Sequence, residues 1–149
     1  MEYFEDITVG EVHEYGSYEV TETEIVEFAQ QYDPQPFHVD PAAAADSPFG
    51  GLIASGWHTA SMCMRLYADN VLADRAGVGA RGIDELRWRV PVRPGDELRI
   101  RTEVTDKQAD DRRPDRGDIR GKLEGLNGDD DVVISWRSRE MVARRSNSE

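Results

Sequence analysis

The chain holds one cysteine, Cys63, among 149 residues. A lone cysteine forms no intrachain disulfide and no Cys-rich zinc site. Lysine is nearly as scarce, with Lys107 and Lys122 standing beside 16 arginines. No apolar run approaches the roughly 20 residues that a membrane span requires. The opening stretch MEYFEDITVG has neither the basic start nor the apolar centre of a secretory leader. These absences lead to the expectation of a soluble, cytoplasmic protein with no membrane partner. Its length suits one domain with its own core and is short for two.

Positive charge is missing from half of the chain. Residues 1–80 carry 14 acids and two bases, Arg65 and Arg75, whereas residues 81–149 carry 16 of each, and the net charge is −12. A nucleic-acid surface needs clustered Lys and Arg, so no nucleic-acid partner is expected. Any anionic ligand should be met by the arginine-rich second half. Strong negative charge with few lysines is halophile-like, fitting a protein kept soluble in concentrated salt where self-repulsion is screened. It fits equally an acidic protein from a GC-rich genome.

Periodicity predicts the elements. Residues 11–20 set aromatic and β-branched residues between charges, as a strand does. Thr21 to Glu24 has the form of a capping box, and Ile25, Phe28, Ala29 and Tyr32 behind it fall on one helical face. Asp33-Pro34 ends that helix, because the residue before proline is pushed out of the helical region. Residues 33–55 are irregular, with four prolines and a Gly50-Gly51 pair. Asp40-Pro41 within them should cap one short helical turn. Stretches this long inside a compact domain are usually functional or disordered, and Phe37, Phe49, Leu52 and Ile53 make this one too apolar for a disordered linker.

From Gly56 to about Leu72 a helix is expected, N-capped by Ser55. Trp57, Ala60, Met62, Cys63, Met64, Leu66 and Tyr67 cover most of its circumference, which predicts a buried helix. Strands are expected near 82–90, 97–106, 117–126 and 132–143, with turn residues at 93–96 and 127–129. The class is α+β: one domain over residues 1–145, a curved antiparallel sheet wrapped around a central buried helix. Residues 146–149 are expected to be a flexible tail.

Asp33 and His38 lie five apart on the proline-stiffened stretch. A carboxylate and an imidazole so held can position one water, since Asp can act as base and His can donate or accept near neutral pH. Their plainer explanation is a helix-end residue and a packed turn histidine. Gly56 opens the buried helix, where free N–H groups and the helix dipole favour an anion; its plainer explanation is close packing. His58 is weighed as a metal ligand with His38, Asp33 and Asp40, but no short His spacing supports this and packing is the better explanation; no metal is expected. Met62, Cys63 and Met64 read as core, and His13 as a surface strand residue.

The run Tyr32-Asp33-Pro34-Gln35-Pro36-Phe37-His38-Val39-Asp40-Pro41 resembles the hydratase signature of the MaoC-like dehydratases, the (R)-specific enoyl-CoA hydratases. Ile53-Ala54-Ser55-Gly56-Trp57 is similar to the family's start of its central helix, and Arg93 to Leu98 to a recurring late-strand segment. The likeness spans about residues 5–143 and implies a single hot-dog domain, as a homodimer or dimer of dimers, acting on an acyl-CoA thioester with no cofactor beyond the coenzyme A of the substrate. It further implies Asp33 and His38 as the catalytic pair and the Gly56 N–H as the oxyanion donor. Gln35, Phe37, Ser55 and Trp57 would line the substrate site. The densest basic segment, from Arg112 to Gly117, would let Arg112 and Arg113 meet the coenzyme A phosphates, unless it is only a solvated hairpin.

The sequence departs from the family pattern in places. Gln35 stands where asparagine is usual, and its extra methylene is expected to shift Asp33. Tyr32 stands where a small residue is common, Ser55 where histidine often precedes the glycine, and Met64 where some members have a serine. The expected activity is hydration of trans-2-enoyl-CoA to (R)-3-hydroxyacyl-CoA, or the reverse dehydration. The alternatives are a hot-dog thioesterase, a non-catalytic acyl-thioester-binding homologue, and a structural subunit of a larger enzyme.

Overall fold

The computed structural model describes residues 1–145, so the expected tail lies outside the described residues. After a short turn of 3-10 helix the chain runs β1 (Val12–Glu19), α1 (Glu22–Tyr32), α2 (Pro36–Val39), α3 (Pro41–Ala45), α4 (Gly56–Asn70), β2 (Gly77–Trp88), β3 (Glu97–Ala109), β4 (Arg116–Leu126) and β5 (Val132–Ala143). The strands form one five-stranded sheet in the order β1-β3-β4-β5-β2, antiparallel throughout.

Strand alternation decides what covers α4. Successive side chains point to opposite faces, so Leu98 and Ile100 of β3, Leu123 of β4, and Ile134 and Trp136 of β5 turn toward the helix. There they form one core with Met62, Cys63 and Leu66. The intervening Arg99, Arg101, Lys122, Glu124 and Arg137 project from the other face. Register shifts in β1, β2, β3 and β4 bend the strands around the helix, as bulges do.

Caps fix where the helices begin. Thr21 Oγ1 accepts from the Glu24 N–H at 3.2 Å, the expected half of a capping box. The return arm is not made, because the Glu24 carboxylate is taken by the Tyr18 hydroxyl and by His58. Asp40 Oδ1 accepts from the N–H groups of Ala42 and Ala43 at 3.0 and 3.4 Å, and Pro41 opens α3 as expected. Ser55 caps α4 through the Trp57 N–H at 3.3 Å.

Four expectations need correction. The stretch 33–55 contains two short helices, not one. The central helix is buried on one side only: Trp57 and Met64 are 57% and 42% exposed, because a single sheet covers one face of a helix. Met64 is therefore not core, and Tyr32 at 70% exposure does not join the packed face of α1. β2 also begins at Gly77, earlier than alternation suggests. Its Gly79 and Gly82 have φ of 125° and 158°, sit at register shifts and interrupt the pattern.

One close approach in the core is at Gly125 on β4. A Cβ there would lie 2.6 Å from Cys63 Sγ and 2.7 Å from Ile134 Cγ2, closer than carbon atoms tolerate. Gly125→Ala is expected to destabilise the fold by about 1–3 kcal/mol, read as a lower urea midpoint with an unchanged slope.

Candidate active site

Three segments meet at the N-terminal end of α4. Asp33 is held where α1 stops, its N–H still bonded to the Ala29 carbonyl at 2.8 Å. Pro36 starts α2, which carries His38 inward to 4% exposure. The strand-like run into α4 is clipped to α2 by the Ile53 N–H, which donates to the Phe37 carbonyl at 3.2 Å. The expected trio of Asp33, His38 and Gly56 is thus brought to one place.

The Asp33 carboxylate is held at both oxygens. Oδ1 accepts from Gln35 Nε2 at 2.7 Å and Oδ2 from Ser55 Oγ at 2.7 Å. Burial pushes this carboxyl up, but the bonds from Ser55 and Gln35 and the nearby His38 outweigh it, and the net pKa lies below the ordinary value. Gln35, the residue expected to displace Asp33, instead grips it. Ser55 is fully buried and supports Asp33 from behind; it is not among the residues lining the cavity.

His38 Nδ1 lies 2.7 Å from the Ile53 carbonyl. A carbonyl can only accept, so Nδ1 carries the hydrogen, and in the neutral ring Nε2 is left as an acceptor. That Nε2 faces Asp33 Oδ2 at 3.4 Å. Two acceptors side by side are suited to share one water that donates a hydrogen to each, leaving its oxygen lone pairs turned outward.

In front of the pair lies a cavity of about 480 Å³ lined by Phe37, Phe49, Gly56, Trp57 and Trp88 among others. Its volume falls in the range of small-molecule sites, roughly 300–1,000 Å³. Phe37 meets His38 edge-on with ring centres 4.6 Å apart, and Trp57 meets Trp88 likewise at 5.1 Å. Gly56, first in its helix, has an N–H with no acceptor inside the helix. A Cβ on it would sit 2.5 Å from the Trp88 indole, whose Nε1 donates to the Gly56 carbonyl at 2.7 Å. The packing explanation of this glycine therefore holds, and the N–H remains available beside it.

Other assignments fall outside the cavity. His58 points away, its Nε2 3.1 Å from Glu24 Oε1 and its ring stacked on Phe28. Burial lowers its pKa more than Glu24 raises it. Among the described residues no group of three or more metal-ligating side chains is gathered. Arg112 and Arg113 are not brought to the site. They occupy the turn between β3 and β4, where both N–H groups bond Asp110 Oδ1, at the end of a 13-residue strand and so roughly 40 Å of strand from the cavity. The arginines nearby are Arg89, which lines the cavity, and Arg93, which donates to the Phe49 carbonyl at 2.7 Å. Sequence reading missed Trp88 and Arg89, which reach the site from the end of β2. Their separation of more than 30 residues from Gly56 leaves no local signal.

A family model described as the MaoC like domain matches residues 6–120. The chain is similar to the solved MaoC-like dehydratase of Rhodospirillum rubrum, with 39% identity and a TM-score of 0.85 over 97% of this chain and 98% of that one. Among curated relatives it is 33% identical to YdeM of Bacillus subtilis, an uncharacterized protein, over 70% of this chain and 74% of that one. It is 35% identical to a 3-hydroxybutyryl-CoA dehydratase of Methylorubrum extorquens over 70% of this chain, a match spanning 64% of that relative. The sheet and its helix make the hot-dog fold, shared with a solved Mycobacterium tuberculosis protein described as having a double hotdog fold.

The Ser55 bond has a measurable consequence for Asp33. A carboxyl whose folded pKa is depressed stabilises the fold above its unfolded value and loses that contribution as pH falls through the folded one. Ser55→Ala should raise the Asp33 titration midpoint, so that this loss sets in at higher pH. Carboxyl-carbon NMR titration of the two proteins reads the shift directly.

Proposed function

Because the chain belongs to the MaoC-like domain family, we propose that it hydrates trans-2-enoyl-CoA thioesters to (R)-3-hydroxyacyl-CoA, or catalyses the reverse dehydration. The observation that carries this reading is the pair of facing acceptors, Asp33 Oδ2 and His38 Nε2, 3.4 Å apart at the head of an aromatic cavity. In the forward direction the water shared by the pair adds through its oxygen to C3 of the enoyl group. One water proton passes to the Asp33–His38 pair as the C2–C3 π electrons move onto the thioester as an enolate. The Gly56 N–H and the positive end of α4 stabilise that developing charge. The pair then returns a proton to C2, and the substrate is neutral again. The coenzyme A of the substrate is the only carrier group required, and the setting is cytoplasmic.

The thioesterase alternative has less support. Its carboxylate would be expected on the central helix, and Gly56 to Tyr67 contains no acid. Asp69 lies at the other end of α4 and is bonded to Arg65 at 2.8 Å. A homodimer is supported by β2, a 12-residue strand exposed along nearly its whole length and, among the described residues, hydrogen-bonded to β5 on one side only. Such an edge is a template for a further strand. Ile83 and Met64, both among the exposed large apolar residues outside the cavity, supply the surface a partner would cover. Sedimentation at micromolar concentration should give twice the chain mass; a monomer there would remove the dimer from the proposal.

Hydration is tested with crotonyl-CoA by loss of enoyl-thioester absorbance, in low and molar salt. The wild type should turn over. Asp33→Asn and His38→Ala should each lose about 10²–10⁴-fold in kcat while keeping the wild-type melting temperature within a few degrees. A wild type that binds short and medium enoyl-CoAs without turnover would replace the hydratase with the binding module. Release of free coenzyme A thiol would replace it with the thioesterase.

A further inference from the structure

The coenzyme A thioester of the proposed reaction carries phosphates, and the aromatic cavity offers them little. We propose that these phosphates bind in a second cavity, lined by Arg87, Arg89, Lys122 and Arg137, on the face of the sheet away from α4. The proposal rests on the coenzyme A reading and deepens it by assigning the charged end of the substrate.

This cavity measures about 270 Å³ and is also lined by Glu85 and Ser135. It is continuous with the aromatic one in the sense that Arg89 lines both. The link is the end of β2. Strand alternation puts Trp88 on the helix face, opposite Ile134, and Arg87 on the other, opposite Ser135. Arg87, Trp88 and Arg89 thereby form a rim that is apolar on one side of the sheet edge and basic on the other. A thioester held at Asp33 and His38 could run its flexible pantetheine arm past Trp88 and leave its phosphates among the arginines.

Charge pairing narrows the choice of place. With 30 acids to 18 bases, most arginines have a carboxylate within reach: Arg75 has Glu2 and Glu140, Arg81 has Asp110 and Asp118, Arg99 has Glu14 and Asp130. Among the described residues six arginines form no such ion pair, and of these Arg87 and Arg89 line this cavity while Arg93, Arg112, Arg113 and Arg120 do not. Arg87 Nη1 donates to the carbonyl of its neighbour Leu86 at 3.1 Å, and Arg89 Nε to Ser135 Oγ at 3.0 Å. Lys122 approaches Glu124 only to 4.0 Å. Arg137 is held by Glu85 at 2.9 Å, the one carboxylate of the lining. Four cations around one acid, two of them with unspent guanidinium donors, suit the planar, multidentate recognition of phosphate.

Calorimetric binding of free coenzyme A and of pantetheine, which lacks every phosphate, tests this without requiring turnover. The wild type should bind coenzyme A at least tenfold more tightly. Arg87→Gln and Arg89→Gln should each remove about tenfold of the coenzyme A affinity while narrowing the gap to pantetheine, and molar salt should shrink the effect. Equal affinity of the wild type for both probes, variants that bind coenzyme A as the wild type does, or a loss seen with Arg112→Gln instead, would each overturn the assignment. Phosphate-dependent binding without hydration of crotonyl-CoA would keep this site and end the hydratase reading. Hydration with phosphate-indifferent binding would do the reverse.

Discussion

The Ser55 hydroxyl joins the two halves of the site. It accepts from the Trp57 N–H and so caps the central helix, and it donates to Asp33 Oδ2 22 residues earlier in the chain. A side chain with one donor and an open lone pair can do both, and being fully buried it has no water to exchange them for. The position of the carboxylate and the start of α4 are therefore one geometric fact. Moving Asp33 would uncap the helix, and moving the helix would loosen Asp33. The same constraint brings the Gly56 N–H, which follows Ser55 directly, to a fixed place relative to the acid. Gln35 on the other carboxylate oxygen completes the clamp from the exposed side.

What could be read from the sequence was what is local. Thr21, Asp33-Pro34, Asp40-Pro41 and Ser55 announce helix ends through their own side chains and rings, and each stands at the boundary it marks. Asp33 and His38 lie in one short segment, so a spacing argument reaches both. The glycines of β2 obscured its beginning because a bulged strand loses its period of two. Trp88 and Arg89 were illegible for a different reason. They reach α4 through the pairing of β2 with β5, a long-range register that no stretch of sequence encodes alone. Arg112 and Arg113 were attractive because they are dense, and density says nothing of which end of a 13-residue strand the turn lies at.

The one-sided burial of α4 follows from its composition. A helix apolar nearly all round has more surface to hide than one sheet can take. The sheet side takes Met62, Cys63 and Leu66, and Trp57 and Met64 are left over. Trp57 is partly sheltered by Trp88, whose own indole covers Gly56. The apolar excess thus has two uses at once: part becomes the wall of the cavity, and part stays beside the unpaired edge of β2. Surface left beside an open strand edge is the usual signature of association. Cavity wall and contact surface are adjacent in this chain because they are cut from the same helix face.

The division of charge along the sequence also acquires a structural sense. The acidic first half supplies β1, the helices and the Asp33 carboxylate, while the arginine-rich second half supplies most of β2 and all of β3 to β5. The sheet's outer face is consequently a lattice of cross-strand ion pairs such as Arg101 with Glu124 and Arg139 with Asp84. Exposed pairs of this kind add little stability singly, roughly 0–1 kcal/mol. Their larger effect is to neutralise most of the arginines locally. Against that neutral background Arg87 and Arg89 keep their charge free at the rim of the cavity. An anion approaching a protein of net charge −12 is repelled at a distance, a repulsion that salt weakens. Near the end of β2 it meets a local field of the opposite sign, which salt also screens, so the balance between capture and rejection there depends on ionic strength.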